Sequence, residues 1–292
     1  MKQTLTIALV GAFIVSITLF AGPNVIAQSN DAAVVGNYAK VKEGYQNTLS
    51  EYRSSRSDFL SARNKYQKKS SAVSSEQLLE QAKKYIQKTI MTMSKYLEAM
   101  KVRVESMNAG IDEEKRNAII AEINSDIAWL QEKLGQIERV TENSALVSIS
   151  DSIREKWTPI RIKAKKYVGV LLSARTHQTI SKLEQAKTKI EEYIVLLEED
   201  DQEVGNIENI LEELNEKLKV TKTQVTNAEK VFNRISSPDN MQSLFKQGKD
   251  FLTSANRYIR ESWQVFKSSV SELNKRRMNN KNSMDVEASS LE

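Results

Sequence analysis

"YAKVKEGYQNTLSEYRSSRSDFLSARNKY", residues 38–66, sets an aromatic at every seventh position: Tyr38, Tyr45, Tyr52, Phe59 and Tyr66. Seven residues are close to two helical turns, so all these rings fall on one face of a helix. Such a ladder is either a stacking surface for a ring-shaped ligand or a face that packs on neighbouring helices. The rest of the chain decides between them.

Downstream, apolar residues keep returning at spacings of three and four. Leu79, Ile86, Met93, Met100 and Met107 form one line, with Ile90, Leu97 and Val104 on the adjacent line. That is a seam of the a/d kind. Ser74 followed by Gln77 reads as a capping box at its start. Gly110 can take a left-handed cap at its end, and Asp112 can cap the helix that follows. A third helix carries Ile120, Ile123, Ile127, Leu130, Leu134 and Ile137 and fades at "TENS".

A fourth, long helix begins near Ser150 with Ile153, Trp157, Ile160, Ala164, Tyr167, Leu171 and Ala174. It resumes its rhythm at Leu183, Ile190 and Leu197, with Pro159 inside at a cost of about 3 kcal/mol unless a kink is wanted. "EEDDQEVGN" reads as a turn. A fifth helix shows Ile207, Leu211, Leu214, Leu218, Val225, Phe232 and Ile235, and Ser237-Pro238 starts a last one that runs to about Arg277. Beyond it, residues 278–292 lack periodicity and are expected to be a disordered tail.

Parts of this series repeat. "IREKW" at 153–157 returns as "IRESW" at 259–263, and "LEQAK" starting at Leu79 returns from Leu183. "VKEGY" at 41–45 resembles both pentapeptides, so Tyr45 stands where Trp157 and Trp263 stand. In each, an aromatic follows a β-branched residue by four, on the same helix face. These three residues are therefore expected to be core anchors, and the aromatic ladder to be a packing face.

A helical unit of about 105 residues with two turns resembles the architecture of spectrin-type three-helix bundles over roughly residues 75–280. The fold class expected is all-α: elongated tandem three-helix bundles with long antiparallel helices and coiled-coil packing. The expected divisions are a leading helix at 28–74 that forms a partial repeat, a first three-helix unit at 75–178 and a second at 179–277. No spectrin sequence motif beyond a packed tryptophan is present, so the resemblance assigns no partner or site.

The first 27 residues read as a signal peptide. Lys2 precedes "LTIALVGAFIVSITLF", an uncharged run of 16 residues, and "VIA" offers a small residue before a cut between Ala27 and Gln28. A run of 16 is slightly short for the roughly 20 residues of a spanning helix. The alternative is a retained membrane anchor over residues 5–20. With no cysteine anywhere, neither a lipoprotein nor a disulfide-braced exported chain is possible, and a bacterial extracytoplasmic location fits best.

Enzymatic chemistry finds little material. His177 is the only histidine and cysteine is absent, so zinc sites and Cys/His or Ser/His nucleophile pairs within one chain are excluded. No glycine-rich phosphate loop occurs. The expectation is a non-enzymatic protein with no catalytic residue, cofactor or metal. The stretch from Glu191 to Glu216 holds eleven carboxylates without a lysine or arginine, and reads as a solvated hairpin tip. A loose cation site among Asp200, Asp201 and Glu203 is the competing reading, since Val204 and Leu211 fall where a helix-loop-helix calcium site needs ligands.

Charge is unevenly spread. Residues 38–103 hold fourteen basic side chains against six acidic, and 161–189 hold eight against Glu184 alone. Such patches could meet a cell-envelope polymer, anionic lipid or another protein, and alternating charge blocks allow self-association. Export and the lack of a groove-entering motif argue against nucleic acid. The functional expectation is an exported scaffold, spacer or binding module.

Overall fold

The computed structural model describes residues 32–68, 74–107, 110–199 and 204–289, with side chains described except at 32–35, 205–206 and 273–289. The signal segment, its expected cut between Ala27 and Gln28, and the trio Asp200, Asp201 and Glu203 lie outside these residues. Among the described residues the chain is all-helical. Its elements are α1 (Ala32–Lys68), α2 (Ser75–Glu105), α3 (Glu113–Glu138), α4 (Asn143–Glu199), α5 (Gly205–Asn233) and α6 (Pro238–Ser289).

The starts and stops follow local chemistry. The Ser74 hydroxyl accepts from the Gln77 N–H at 3.1 Å while the Gln77 side chain accepts from the Ser74 N–H at 3.0 Å. Two helix-end donors are thus satisfied reciprocally. Gly110 has φ 84°, a left-handed conformation that glycine reaches without strain. Asp112 then caps α3 by accepting from the Lys115 N–H at 3.2 Å. At α6 the Ser237 N–H donates to Asn240 Oδ1 at 3.2 Å, one residue before Pro238 opens the helix.

Helix α4 departs from expectation at its start. It begins at Asn143 rather than near Ser150, because the buried Leu146 carries the apolar line a turn further upstream. Pro159 does not end it. Glu155, whose carbonyl loses its helical partner to the proline, is exposed, as is Pro159 itself, so water can take the vacant place. Helix α6 runs past Arg277 to Ser289, where a tail was expected from residue 278; residues 290–292 lie outside the described residues. Residues 278–289 hold no glycine or proline, so losing the apolar rhythm does not stop the helix.

Two compact units divide between Val168 and Gly169, ten residues before the expected boundary, and α4 contributes to both. In the first unit α2 is buried on two sides. One side is the expected line of Ile86, Ile90, Met93, Leu97 and Val104; the other carries Tyr85, Thr89, Thr92 and Tyr96. Helix α1 lies on that second side. Its Tyr45 ring meets Tyr96 at 6.0 Å, Tyr52 meets Tyr85 at 5.7 Å, and Phe59 stacks on Tyr85 at 5.5 Å. Such ring pairs add about 0.5–1.5 kcal/mol each beyond burial. The leading helix thus packs on α2 from Tyr45 to Phe59.

In the second unit, residues 169–199 of α4 join α5 and α6. Buried side chains recur at Leu183 and Ile190, at Leu214 and Val225, and at Leu252 and Ile259. Near one end, Phe232 of α5 lies against two glycines, Gly169 of α4 and Gly248 of α6, and tilts toward Phe245 with ring centres 5.6 Å apart. Only residues without a β-carbon leave room for the ring there.

Candidate functional site

Of the three repeat anchors, two are core residues. Tyr45 is 3% exposed and Trp157 1% exposed. Trp157 projects from α4 and meets the Tyr96 ring of α2 edge-on at 6.4 Å. Trp263 differs: it is partly exposed, and its ring meets Phe266 of its own helix at 5.5 Å. The expectation that all three hold equivalent core positions is thus corrected for Trp263, whose ring contact is a turn along α6 rather than on a neighbouring helix. The matching "LEQAK" positions agree better, since Leu79, Ile86 and Ile90 are buried, as are Leu183, Ile190 and Ile194.

The aromatic ladder has no open face at its centre. Tyr45, Tyr52 and Phe59 are buried, while Tyr38 and Tyr66 at its ends are partly exposed. Burial raises the pKa values of Tyr45 and Tyr96 above the ordinary phenol value, as expected for hydroxyls held among rings and helix backbone. At the upstream end the Arg103 guanidinium of α2 lies 5.6 Å from the Tyr38 ring centre, and covers part of that remaining face.

A polar cluster between α3 and α4 was not foreseen. Asp126, 5% exposed, accepts from the Lys163 ammonium at 2.8 Å, with Lys156 at 3.9 Å. Tyr167 donates its hydroxyl to Glu122 at 2.5 Å, and Lys163 approaches the same carboxylate at 3.5 Å. Burial, followed by the Glu122 hydrogen bond, drives the Tyr167 pKa far above its ordinary value. Tyr167 therefore keeps its proton at neutral pH, and the cluster acts as a polar clasp between two helices.

Asp126→Ala is expected to lower stability by about 1–2 kcal/mol. A buried partner is lost while the lysines, still partly hydrated, recover some solvation. Urea unfolding at low and high salt checks this, and a loss that vanishes in 1 M salt would show an ordinary surface pair.

The remaining charge is partly self-compensated. Lys88 of α2 reaches Glu51 of α1 at 2.7 Å, and Lys217 of α5 bridges Glu261 of α6 at 3.2 Å. Glu191, Glu213 and Glu216 of the acidic stretch pair with Lys187, Lys217 and Lys219. His177 lies 3.1 Å from Glu229, both partly exposed. Among the described residues no group of three or more acidic or histidine side chains is placed to hold a metal ion.

Comparison with protein families, curated proteins and solved structures finds no match.

Proposed function

We propose that this chain is an exported, non-enzymatic helical scaffold that binds anionic material of the cell envelope through its basic outer faces. The supporting observation is the burial of Tyr45, Tyr52 and Phe59 between α1 and α2. The aromatic face is occupied by packing, and the side chains left to meet a partner are mostly charged.

Within this reading, the "IREKW"/"IRESW" and "LEQAK" pairs carry the tandem three-helix, spectrin-like part. The 16-residue apolar run ahead of Ala27 carries export. Anionic lipid and another protein are competing partners, and a second copy of the chain is a further one. A retained anchor over residues 5–20 is the competing membrane arrangement; among the described residues no helix is long and apolar enough to cross a membrane. N-terminal sequencing of the protein recovered from its native cell tests the first step. Gln28, free or cyclised, is the expected first residue in an extracytoplasmic fraction. Met1 in the membrane fraction would replace export by anchoring, and a cytoplasmic protein beginning at Met1 would overturn both.

A further inference from the structure

A groove of about 650 Å³ lies between α4 and α5 of the second unit. Four lysines line it, Lys187 from α4 and Lys219, Lys222 and Lys230 from α5, against the single carboxylate of Glu184. Its wall on α5 runs from Asn215 to Lys230, about 22 Å at the rise of an α-helix. Lys222 pairs with Glu184 inside the groove, and Lys187 pairs with Glu191. Lys219 sits 3.7 Å from Glu216 with both ends well exposed, a pair of little strength. Lys230 has no ion pair among the described residues. The lining as a whole carries an excess of positive charge.

What lies between the lysines narrows the ligand. Thr188 and Thr223 donate their hydroxyl hydrogens to their own helices, to the carbonyls of Glu184 at 3.1 Å and Lys219 at 3.0 Å. Each hydroxyl oxygen therefore offers the groove a lone pair and no hydrogen. Such an oxygen repels an anionic group and accepts from an O–H. Asn215 and Asn227 add amides that both donate and accept. The wall thus sets cationic donors beside two hydroxyl oxygens, those of Thr188 and Thr223, that can only accept, with Thr226 and the asparagines able to do either.

We infer that this groove binds a segment of a linear polyanion bearing hydroxyl groups between its charges, the chemistry of an acidic polysaccharide or a polyol-phosphate chain. Lysines take the anionic oxygens, and Thr188 and Thr223 accept from the hydroxyls. Bare polyphosphate satisfies the lysines and the amide N–H groups but leaves the Thr188 and Thr223 oxygens without a donor, and a neutral glucan leaves the lysines without an anion. This deepens the proposed binding role and rests on it, but it does not depend on where the chain is cleaved.

Calorimetric titration of the chain starting at Gln28 tests the inference. The probes are oligogalacturonate, poly(glycerol phosphate), inorganic polyphosphate of matched charge, dextran, and vesicles containing phosphatidylglycerol. At least one of the first two is expected to bind more tightly than polyphosphate, with dextran inert; which one binds identifies the polymer type. The double variant Lys219→Glu/Lys230→Glu should weaken that binding at least about tenfold, because groove phosphates or carboxylates lose their counter-charges. Lys115→Glu/Lys267→Glu, equal in net charge and outside the groove, should change it little, and Thr223→Val should weaken the hydroxyl-bearing probe but not polyphosphate. Equal losses in both double variants, polyphosphate binding as tightly as the best probe, or binding to vesicles alone would each overturn the groove assignment. An intact helical circular dichroism spectrum in every variant keeps loss of fold from imitating loss of binding. A null result here beside a Gln28 terminus would sink the groove and leave export standing.

Discussion

Replacing Trp157 by alanine is expected to destabilise the protein by about 3–5 kcal/mol, as large aromatic-to-alanine changes in packed cores do. The side chain is 1% exposed and lies edge-on to Tyr96, which in turn meets Tyr45. Its removal leaves a void at a junction of α1, α2 and α4 that three helices cannot collapse to fill. Trp157→Phe should cost distinctly less. The indole N–H is buried and finds no acceptor among the described residues, so phenylalanine keeps most of the packing and removes an unsatisfied donor. Tyr45→Ala should approach the Trp157→Ala loss, since Tyr45 is comparably buried. Trp263→Ala should cost clearly less, because that ring is partly exposed and rests on its own helix. Urea unfolding of each variant, with tryptophan emission as probe, checks the ranking. Equal losses at Trp157 and Trp263 would restore the equivalence that the repeat suggested and contradict the burial difference.

The ranking also shows how far apolar spacing reaches. Every residue of the line Leu79, Ile86, Met93 and Met100, and of its neighbour Ile90, Leu97 and Val104, is buried. The caps at Ser74 and Asp112 and the turn at Gly110 were equally legible, because each depends on side chains within three residues. What escaped is whatever depends on a partner helix. Tyr85 and Tyr96 open the second buried side of α2, yet a tyrosine in a helix reads equally well as surface or core until α1 lies on it. Asp126 occupies the inward position of α3 beside Ile127, which the spacing favoured and which is only partly buried. A carboxylate is tolerated there because Lys163 and Lys156 arrive from α4, about thirty or more residues on, and nothing in the local pattern announces them. Of the groove lysines only Lys187 was visible within the basic stretch of α4. Its assembly with the three of α5 was not, since it requires knowing which faces of the two helices meet.

Gly248→Ala is expected to lower stability by about 2–3 kcal/mol, against the roughly 1 kcal/mol gain that helix propensity alone would give. A β-carbon built at Gly248 would lie 2.4 Å from Phe232 Cε1 and 2.6 Å from Cζ. Real carbon–carbon contacts do not come that close, so the ring or a helix must move. The ring has little room to retreat, because Gly169 lies against its other end: a β-carbon there would stand 2.4 Å from Cγ of the same ring. Phe245 also limits the tilt. Gly169→Ala should therefore behave like Gly248→Ala, and the two together should separate α5 from both neighbours. A double-mutant cycle with Phe232→Leu isolates the cause. On its own Phe232→Leu should lose about 1.5 kcal/mol or less, as a moderate core shape change. In the Gly248→Ala background it should recover stability, a coupling of about 1–3 kcal/mol between residues in direct contact. Thermal and urea unfolding of the four proteins give the cycle. If Gly248→Ala stabilises the chain, or if its loss is unchanged by Phe232→Leu, then the ring is not held between the two glycines and α4, α5 and α6 pack by some other register at this level.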